Sequence, residues 1–511
     1  MNNILKIIAK IDLRPHVLLV LLLLMSLNSF STINKEVTID ITVNGAENDR
    51  LVYAVPVAGI TYLGFSKKAR LDPSGQFQVR LEIDHSGFVE INNSRKVGYI
   101  FVQPGNHYQF TMDHHKKDSF ITIKGRNEAG QNFYNQLKHI SPKYIGSLAD
   151  DYVKDTIASI LQAKIMKKKE AELATLNELY RNNLIDLPFF EIVSSDITCF
   201  FNLLLVEIIR RQFRPAKHPS KSFGKAQSVS KQMGSLWMET FKQYPVVSAE
   251  IFKTRWWYEY ADHYIQFYTE YADHGKIDIE KLIGLFKKGE IHSYYLKRAE
   301  KHLSGSYLEY YSARYIHNAA YQKDYEKELI NLFEKWKARF PKSQFYLYVE
   351  PLIQPIKKYH KLIEQDYSKE VKFLETGESI NSLGDALKSF KGKAVYVDIW
   401  ATTCGPCKKE FENNDGLIAL LKSHDVAMFY LSVDKDRNAQ KWKDMIKYYN
   451  LEGIHLRATR VLIEDLKEKV YENGSMVIPR HLIIDRNGNL VEKSAARPSD
   501  LESLKRQLEK I

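Results

Sequence analysis

The chain has 511 residues, of which 44% are hydrophobic and 27% are charged. This length exceeds one ordinary core and predicts roughly two to four domains, and the composition excludes a largely disordered protein. The formal net charge is +12, but basic runs such as 167–169 are followed at once by acidic residues. We therefore expect a solvated basic surface and no nucleic-acid partner.

The N-terminus has the pattern of an export signal. Basic residues precede the apolar run 17–25, and the small residues Ser29 and Ser31 follow it. This order is typical of a secretory signal peptide over residues 1–31, with an uncleaved membrane anchor as the alternative. The run is shorter than the roughly 20 residues of a spanning helix, and we expect no later span. The signal thus predicts a mature chain outside the cytoplasm, and the location we expect, together with the family resemblance given below, is the periplasm or cell envelope of a gram-negative bacterium.

Residues 36–125 are predicted to form an antiparallel β-sandwich-like accessory domain. Apolar and polar residues alternate over 37–43 and 77–83, which is the period of a half-buried strand. Turn signals such as Asn44-Gly45 and 72–75 separate the short strands.

Residues 127–365 are predicted to form an α-helical domain. Aromatic residues recur at helical spacing over 252–271, and the tetrapeptide Tyr-Ala-Asp-His occurs at 260–263 and again eleven residues later at 271–274. We interpret this stripe as core packing, with a tyrosine-lined groove for a peptide or ligand as the alternative. Cys199 stands in an apolar stretch and is predicted to be a buried, inert thiol.

Residues 366–511 alternate between strand and helix patterns, which predicts an α/β domain with a central mixed sheet. Asn487-Gly488 marks a hairpin near the end. The predicted strands are 394–400, 426–433, 481–485 and 490–492, and the predicted helices are 404–422, 439–449 and 499–509.

Two of the three cysteines, Cys404 and Cys407, stand at a predicted strand-to-helix turn. The free N–H groups and positive end of a helix favour a thiolate there. A zinc site would need two further ligands, and the sequence offers neither a second Cys-x-x-Cys nor a Cys/His pair. Asp434, Asp436 and Asn438 begin like a calcium loop but lack its glycine, so we interpret them as caps of the next helix. The pattern predicts a redox dithiol without a metal or bound cofactor.

The segment 397–407, Val-Asp-Ile-Trp-Ala-Thr-Thr-Cys-Gly-Pro-Cys, resembles the active-site segment of thioredoxins. With Lys-Lys-Glu at 408–410 it is similar to the extracytoplasmic TlpA/ResA-like branch of that family. The resemblance continues at 433–436 and at 477–485, where Ile-Pro precedes a predicted strand. It implies a thioredoxin fold for 366–511 and says little about the upstream chain.

The resemblance also implies roles for individual residues. Cys404 is expected to attack a substrate disulfide, and Cys407 is expected to resolve the mixed disulfide. Asp398 and Glu410 are expected to lie near the dithiol and accept the proton of Cys407, since burial raises the pKa of a carboxyl group. The alternative for both is an ordinary surface carboxylate.

Five further residues are expected to contact the substrate. Pro479 is the expected cis proline, and the backbone of Ile478 is expected to pair with an incoming peptide. Trp400, Gly405 and Pro406 complete this set around the dithiol.

The sequence thus predicts a thiol–disulfide oxidoreductase that acts on protein disulfides. The Gly-Pro dipeptide and Ile478 resemble reducing thioredoxins, so we expect a reductase rather than an oxidase. Because no nicotinamide or flavin pattern is present, the electrons would come from a membrane electron-donor protein. The alternative is an envelope binding or assembly protein whose thioredoxin domain is a regulator or tether. A thiol peroxidase is disfavoured because its Pro-x-x-x-Thr-x-x-Cys loop is missing.

Overall fold

The computed structural model describes residues 35–94, 96–137, 144–212, 230–374, 380–472 and 474–511. The predicted signal segment at 1–31, and its alternative as an anchor, lie outside the described residues. The chain divides into two compact units: Met1–Arg314 with Phe340–Tyr348, and Tyr315–Arg339 with Val349–Ile511.

The first unit begins with a β-sandwich of two four-stranded sheets, in the orders β4-β1-β7-β8 and β3-β2-β5-β6. Alternate residues of both sheets, such as Ile39, Ile41 and Ile91, form one hydrophobic core. The predicted sandwich is confirmed, although β1 and β7 pair in parallel whereas the other pairs are antiparallel. The strands are β1 (Glu36–Asn44), β2 (Arg50–Ala54), β3 (Ser66–Arg70), β4 (Gln76–Glu82), β5 (Gly87–Asn93), β6 (Lys96–Val102), β7 (His107–Asp113) and β8 (Ile121–Gly125).

A helical region follows the sandwich in the chain, as the sequence predicts. Its helices are α1 (Glu128–Gln136), α2 (Tyr144–Tyr152), α3 (Ala158–Arg181), α4 (Leu187–Gln212), α5 (Lys231–Gln243), α6 (Ala249–Phe252), α7 (Trp257–His263), α8 (Thr269–His274), α9 (Ile279–Lys288), α10 (Ile291–His302), α11 (Gly305–Tyr321), α12 (Glu328–Arg339) and α13 (Tyr346–Leu362).

The aromatic stripe packs inside the helical region, but not along one continuous helix. A π-helical segment, Tyr264–Tyr268, separates α7 from α8. Tyr260 is fully buried, and its ring lies 4.8 Å from that of Phe241. Tyr271 stacks on Trp237 at 5.5 Å. These contacts favour the interpretation of the stripe as core packing.

One helix corrects the expectation that no later segment could span a membrane. Helix α4 is long and apolar enough by length and composition, with a mean hydropathy of 1.8 in its most apolar window. That window is 78% buried against the rest of the protein, which is typical of a core helix. Cys199 lies in this helix without exposed surface, and burial raises the pKa of its thiol.

The second unit is built around a six-stranded sheet in the order β14-β13-β10-β11-β12-β9. Strands β10, β11, β12 and β9 are parallel, and β13 and β14 are antiparallel to their neighbours. The predicted α/β thioredoxin-like fold is confirmed. The strands are β9 (Val371–Phe373), β10 (Ala394–Trp400), β11 (Val426–Ser432), β12 (Gly453–Arg457), β13 (Arg480–Ile484) and β14 (Leu490–Glu492).

The helices of this sheet domain are α14 (Leu383–Leu387), α15 (Gly405–Glu410), α16 (Asn414–Ser423), α17 (Ala439–Tyr448), α18 (Arg460–Lys469) and α19 (Leu501–Leu508). The helix predicted for 404–422 is interrupted by a 3-10 turn, Phe411–Asn413. At this break the Asn414 side chain accepts a hydrogen bond from the Tyr430 hydroxyl at 2.7 Å instead of facing water.

The second unit also contains residues 315–339 and 349–362 upstream of the sheet, which form the end of α11, the α11–α12 loop, α12 and most of α13. The predicted boundary at 366 follows the change from helices to alternating strands and helices, whereas the compact unit begins earlier in the chain. Residues of the loop between α11 and α12 contact the active-site segment directly, as described below.

Candidate active site

The loop between β10 and α15 is held by a buried carboxylate. Asp434 accepts hydrogen bonds from the backbone N–H and the hydroxyl of Thr402 at 2.8 and 2.7 Å. The Ser432 hydroxyl and Asn438 Nδ2 donate to the same carboxylate at 2.9 and 3.1 Å. Asp434 is 4% exposed, and Thr402 and Ser432 have no exposed surface. Because Thr402 lies two residues before Cys404, this network positions the chain from which the first cysteine projects.

This network corrects the interpretation of Asp434 and Asn438 as helix caps. Asn438 is the N-cap residue of α17, but its side chain makes no capping hydrogen bond. Its amide donates to Asp434 instead. The carboxylate that looked like part of a cap therefore belongs to the active-site loop.

The two active-site cysteines lie at the start of α15. Cys404 is the N-cap residue, and its Sγ accepts a hydrogen bond from the N–H of Cys407 at 3.1 Å. A disulfide joins the two residues; Cys404 is 8% exposed and Cys407 has no exposed surface. Gly405 and Pro406, between them, are exposed. In the dithiol form, an N–H directed at Cys404 Sγ favours its thiolate.

Asp398 lies inside β10 and is 1% exposed, so it is not a carboxylate at a strand end facing water. Alternation along the strand places Asp398 and Trp400 on the same face of the sheet. The Trp400 ring packs against Phe411, in the turn after α15, at 5.0 Å. Asp398 therefore lies on the face that the active-site helix and the turn after it cover. Trp400 has no exposed surface, and its expected place among the substrate contacts is not supported by this position.

Glu410 is also buried, at 7% exposure, and is not an ordinary surface residue. Its carboxylate accepts hydrogen bonds from the backbone N–H and the hydroxyl of Ser499 at 3.0 and 3.2 Å. The Arg497 guanidinium lies 4.0 Å away. The Glu410 carboxylate therefore binds the segment that precedes α19.

The Ile478–Pro479 peptide bond is cis, in the position where the resemblance implied a cis proline. These residues precede β13, which pairs antiparallel with β10, and Arg480 is opposite Ile399. The antiparallel register brings the cis bond to the end of β10 that leads to Cys404. Both residues are half-buried, so part of their surface is available at this edge.

The residue after Cys407 anchors the active-site helix to the loop between α11 and α12 of the same unit. Lys408 is 2% exposed, and its Nζ donates to the carbonyl oxygens of Lys323 and Gln322 at 3.1 and 3.5 Å. Burial lowers the pKa of the Lys408 ammonium group, and the charge of Asp324 acts in the opposite direction. Three more contacts join residues 323–325 to this surface: Lys323 to Glu412 at 2.9 Å, Asp324 to Lys441 at 2.6 Å, and the Tyr325 hydroxyl to that of Tyr449 at 2.8 Å.

Sequence reasoning missed the roles of three residues that the fold brings to the site. Asp434 stands out in the sequence, but its partner Thr402 lies 32 positions away. Lys408 belongs to the motif, but its carbonyl partners lie 85 and 86 positions away. His481, opposite Asp398 in the β10–β13 pair, follows the cis proline by two residues. That spacing is a usable signal, but the strand register is needed to interpret it.

Comparison with known proteins places the site in a family. The Redoxin family profile matches residues 385–508. Over 125 residues the chain is 30% identical to the thiol-disulfide oxidoreductase ResA of a strain of Bacillus cereus, covering 24% of this chain and 67% of that protein. The chain belongs to the ResA-like thiol-disulfide oxidoreductases.

A second curated relative agrees with this assignment. ResA of Bacillus thuringiensis subsp. konkukian is 29% identical over 125 residues, again 24% of this chain and 67% of that protein. Among solved structures, the thioredoxin domain of a thiol-disulfide oxidoreductase from Bacteroides vulgatus is 22% identical, with a TM-score of 0.20, covering 24% of this chain and 82% of that one. This ResA-like protein is thus an oxidoreductase with a thioredoxin fold in its C-terminal part, and the Redoxin match begins only at residue 385.

Proposed function

We propose that this oxidoreductase reduces disulfide bonds of proteins outside the cytoplasm through the Cys404–Cys407 dithiol. The observation that carries the proposal is the asymmetry of the pair. Cys404, at the helix start, has the remaining exposed surface and the N–H donated to its sulfur, whereas Cys407 is completely buried. An attacking thiolate needs the first environment, and a resolving thiol is protected from outside disulfides by the second.

The proposed reaction has two exchange steps. The Cys404 thiolate attacks one sulfur of the substrate disulfide, that S–S bond breaks, and the leaving sulfur departs as a thiolate that takes a proton. Cys407 then loses its proton and attacks Cys404 Sγ, which forms the intramolecular disulfide and releases the second substrate thiol. The substrate gains two electrons and the protein loses two. Asp398, buried on the covered face of the sheet, is the proposed acceptor of the Cys407 proton.

The direction of transfer and the location are part of the proposal. Reducing thioredoxins have a reduction potential of about −270 mV, and a strong periplasmic oxidase has one of about −120 mV. The Gly405-Pro406 dipeptide resembles that of the reducing thioredoxins. Regeneration of the dithiol requires an external dithiol donor, which we place at the membrane. The apolar run at 17–25 with its basic start supports a site of action outside the cytoplasm.

A second candidate is a binding or assembly protein in which the dithiol domain is a regulator or tether. The observation that favours it is the size of the first unit, which runs up to Arg314 and contains the sandwich and most of the helices. Binding of a partner by this first unit would not require the cysteines, so a protein with this role would keep its function when Cys404 and Cys407 are replaced.

Active-site variants of the full chain separate these candidates. Cys407→Ser should accumulate mixed disulfides with protein substrates, because the resolving attack is lost, and Cys404→Ser should accumulate none. Acid quenching of cells and alkylation should find the wild-type pair mainly as the dithiol. Absence of mixed disulfides in Cys407→Ser would contradict the proposed catalysis, and a mainly oxidised resting pair would contradict the reductive direction.

A further inference from the structure

A row of buried polar side chains crosses the sheet of the second unit at the level of Asp398. Strand pairing places His481 of β13 opposite Asp398 of β10, Asp398 opposite Tyr430 of β11, and Tyr430 opposite His455 of β12. Their exposures are 2%, 1%, 0% and 0% in that order. Four polar residues in one buried row are unusual in a sheet whose other face is an apolar core.

Two members of this row face each other without a conventional hydrogen bond. His481 Nε2 lies 3.5 Å from Asp398 Oδ1, and both side chains are 1% exposed. Within the described part of the chain, neither of these two atoms has a hydrogen-bond partner. The Tyr430 hydroxyl donates to Asn414, and His455 Nε2 is bonded to the Leu451 carbonyl at 2.8 Å. His455 Nδ1 also has no hydrogen-bond partner within the described residues, but Asp398 Oδ1 and His481 Nε2 are the two such atoms that face each other across paired strands.

Physical chemistry assigns a preferred charge to such a pair. A lone carboxylate buried in an apolar environment is costly, and uptake of one proton makes the Asp398–His481 pair neutral overall, whichever residue holds it. When His481 holds the proton, a charge-assisted hydrogen bond can form across the present 3.5 Å gap. At this separation the proton interacts with both side chains, whichever of them holds it.

We propose that Asp398 and His481 together receive the proton that Cys407 releases, with His481 acting as a positioning residue that shares the proton through Asp398. This deepens the proposed function and rests on it. The Cys407 S–H bond breaks, the proton goes to the pair, and the electron pair on sulfur forms the Cys404–Cys407 bond as the substrate thiolate departs. When the external dithiol donor reduces this disulfide, the pair returns the proton to Cys407.

The tyrosines around the pair and the second histidine of the row stay in one protonation state near neutral pH. Burial raises the pKa values of Tyr396 and Tyr430, and the Asp398 charge adds to both. Burial likewise raises the pKa of Tyr471 to about 12, against the opposing effect of Arg480. Burial lowers the pKa of His455 to about 4, so this imidazole is neutral. On the helix side, the Glu410 carboxylate is held by Ser499, with Arg497 4.0 Å away.

The test measures the resolving step in the full chain as a function of pH. Reduced protein is mixed with a small fluorescent disulfide, and release of the second thiol is followed in a single turnover between pH 4 and 9. The rate should fall at low pH, where the pair already carries its proton. The glutamine of His481→Gln can donate a hydrogen bond to Asp398 but cannot take up a proton. The fall in rate on the acid side of the pH profile, called the acid limb, should therefore occur at a pH lower by about one unit or more in this variant. His424→Gln, the same change at a histidine outside the row, should leave the limb in place.

The outcomes separate this inference from the proposed function. A His481→Gln limb that coincides with the wild-type limb overturns the shared proton, while mixed-disulfide trapping by Cys407→Ser still supports the oxidoreductase mechanism. Failure of Cys407→Ser to trap any disulfide overturns the mechanism itself. If His481→Gln does not fold, the imidazole nitrogen resonances of His481 are titrated in the wild type and in Asp398→Asn. A titration midpoint of His481 that is equal in both proteins overturns the coupling.

Discussion

Removal of the Asp434 carboxylate should loosen the loop that carries Cys404. Thr402 donates two hydrogen bonds to it, at 2.8 and 2.7 Å, in a region without exposed surface. A hydrogen bond to a charged group contributes about 1.5–3 kcal/mol, and water entering the space in Asp434→Ala replaces part of this. We therefore expect the free energy of local opening at Thr402 to fall by about 2–4 kcal/mol.

Amide hydrogen exchange of peptides covering 397–410, measured on the disulfide form, reports this opening directly. Asp434→Asn keeps one acceptor oxygen and should cost about 1 kcal/mol. Thr402→Val removes only the hydroxyl bond, so the double variant with Asp434→Ala should cost about 1 kcal/mol less than the sum of the single changes. Additivity within about 0.5 kcal/mol, or unchanged exchange at Thr402, would refute the view that Asp434 holds this loop.

Three further outcomes are expected. Lys408→Met should make the chain near Lys323 more sensitive to proteolysis and lower the free energy of unfolding by about 1–2 kcal/mol, because two carbonyl groups lose a charged donor. Lys408→Arg keeps a charged donor and should retain most of this stability. Equal rates of proteolysis for the wild type and both variants would contradict the role of Lys408. His455, whose pKa is lowered to about 4 from 6.5, binds fewer protons folded than unfolded. Stability should therefore fall as the pH drops from about 6.5 to 4, by up to about 3 kcal/mol, and His455→Phe should flatten this part of the curve in pH-dependent urea unfolding. After mild reduction without denaturant, an alkylating reagent should label Cys404 and spare Cys199, whose buried thiol is poorly ionised. Labelling of Cys199 as fast as Cys404 would contradict its burial.

Much of the architecture could be predicted from local patterns because those patterns are short-range. Alternation over 37–43 and 77–83 became β1 and β4, and the Asn487-Gly488 signal became the β13–β14 turn. The aromatic residues over 252–271 recur at helical spacing, but this spacing does not reveal the π-helical segment at Tyr264–Tyr268. The membrane-span expectation failed at α4, because burial among other helices lets an entire apolar helix serve as core.

The sequence by itself determined that Cys404 and Cys407 meet, because a spacing of three residues across a helix start brings two sulfurs within bonding reach. It also indicated the cis proline and a carboxylate on the strand before the dithiol. Only the tertiary structure decided which groups surround them. The pairing of β10 with β13 sets His481 against Asp398, and the loop after β11 brings Asp434 to Thr402. Such contacts depend on strand register and on chain segments dozens of residues apart, and no local pattern encodes either of them.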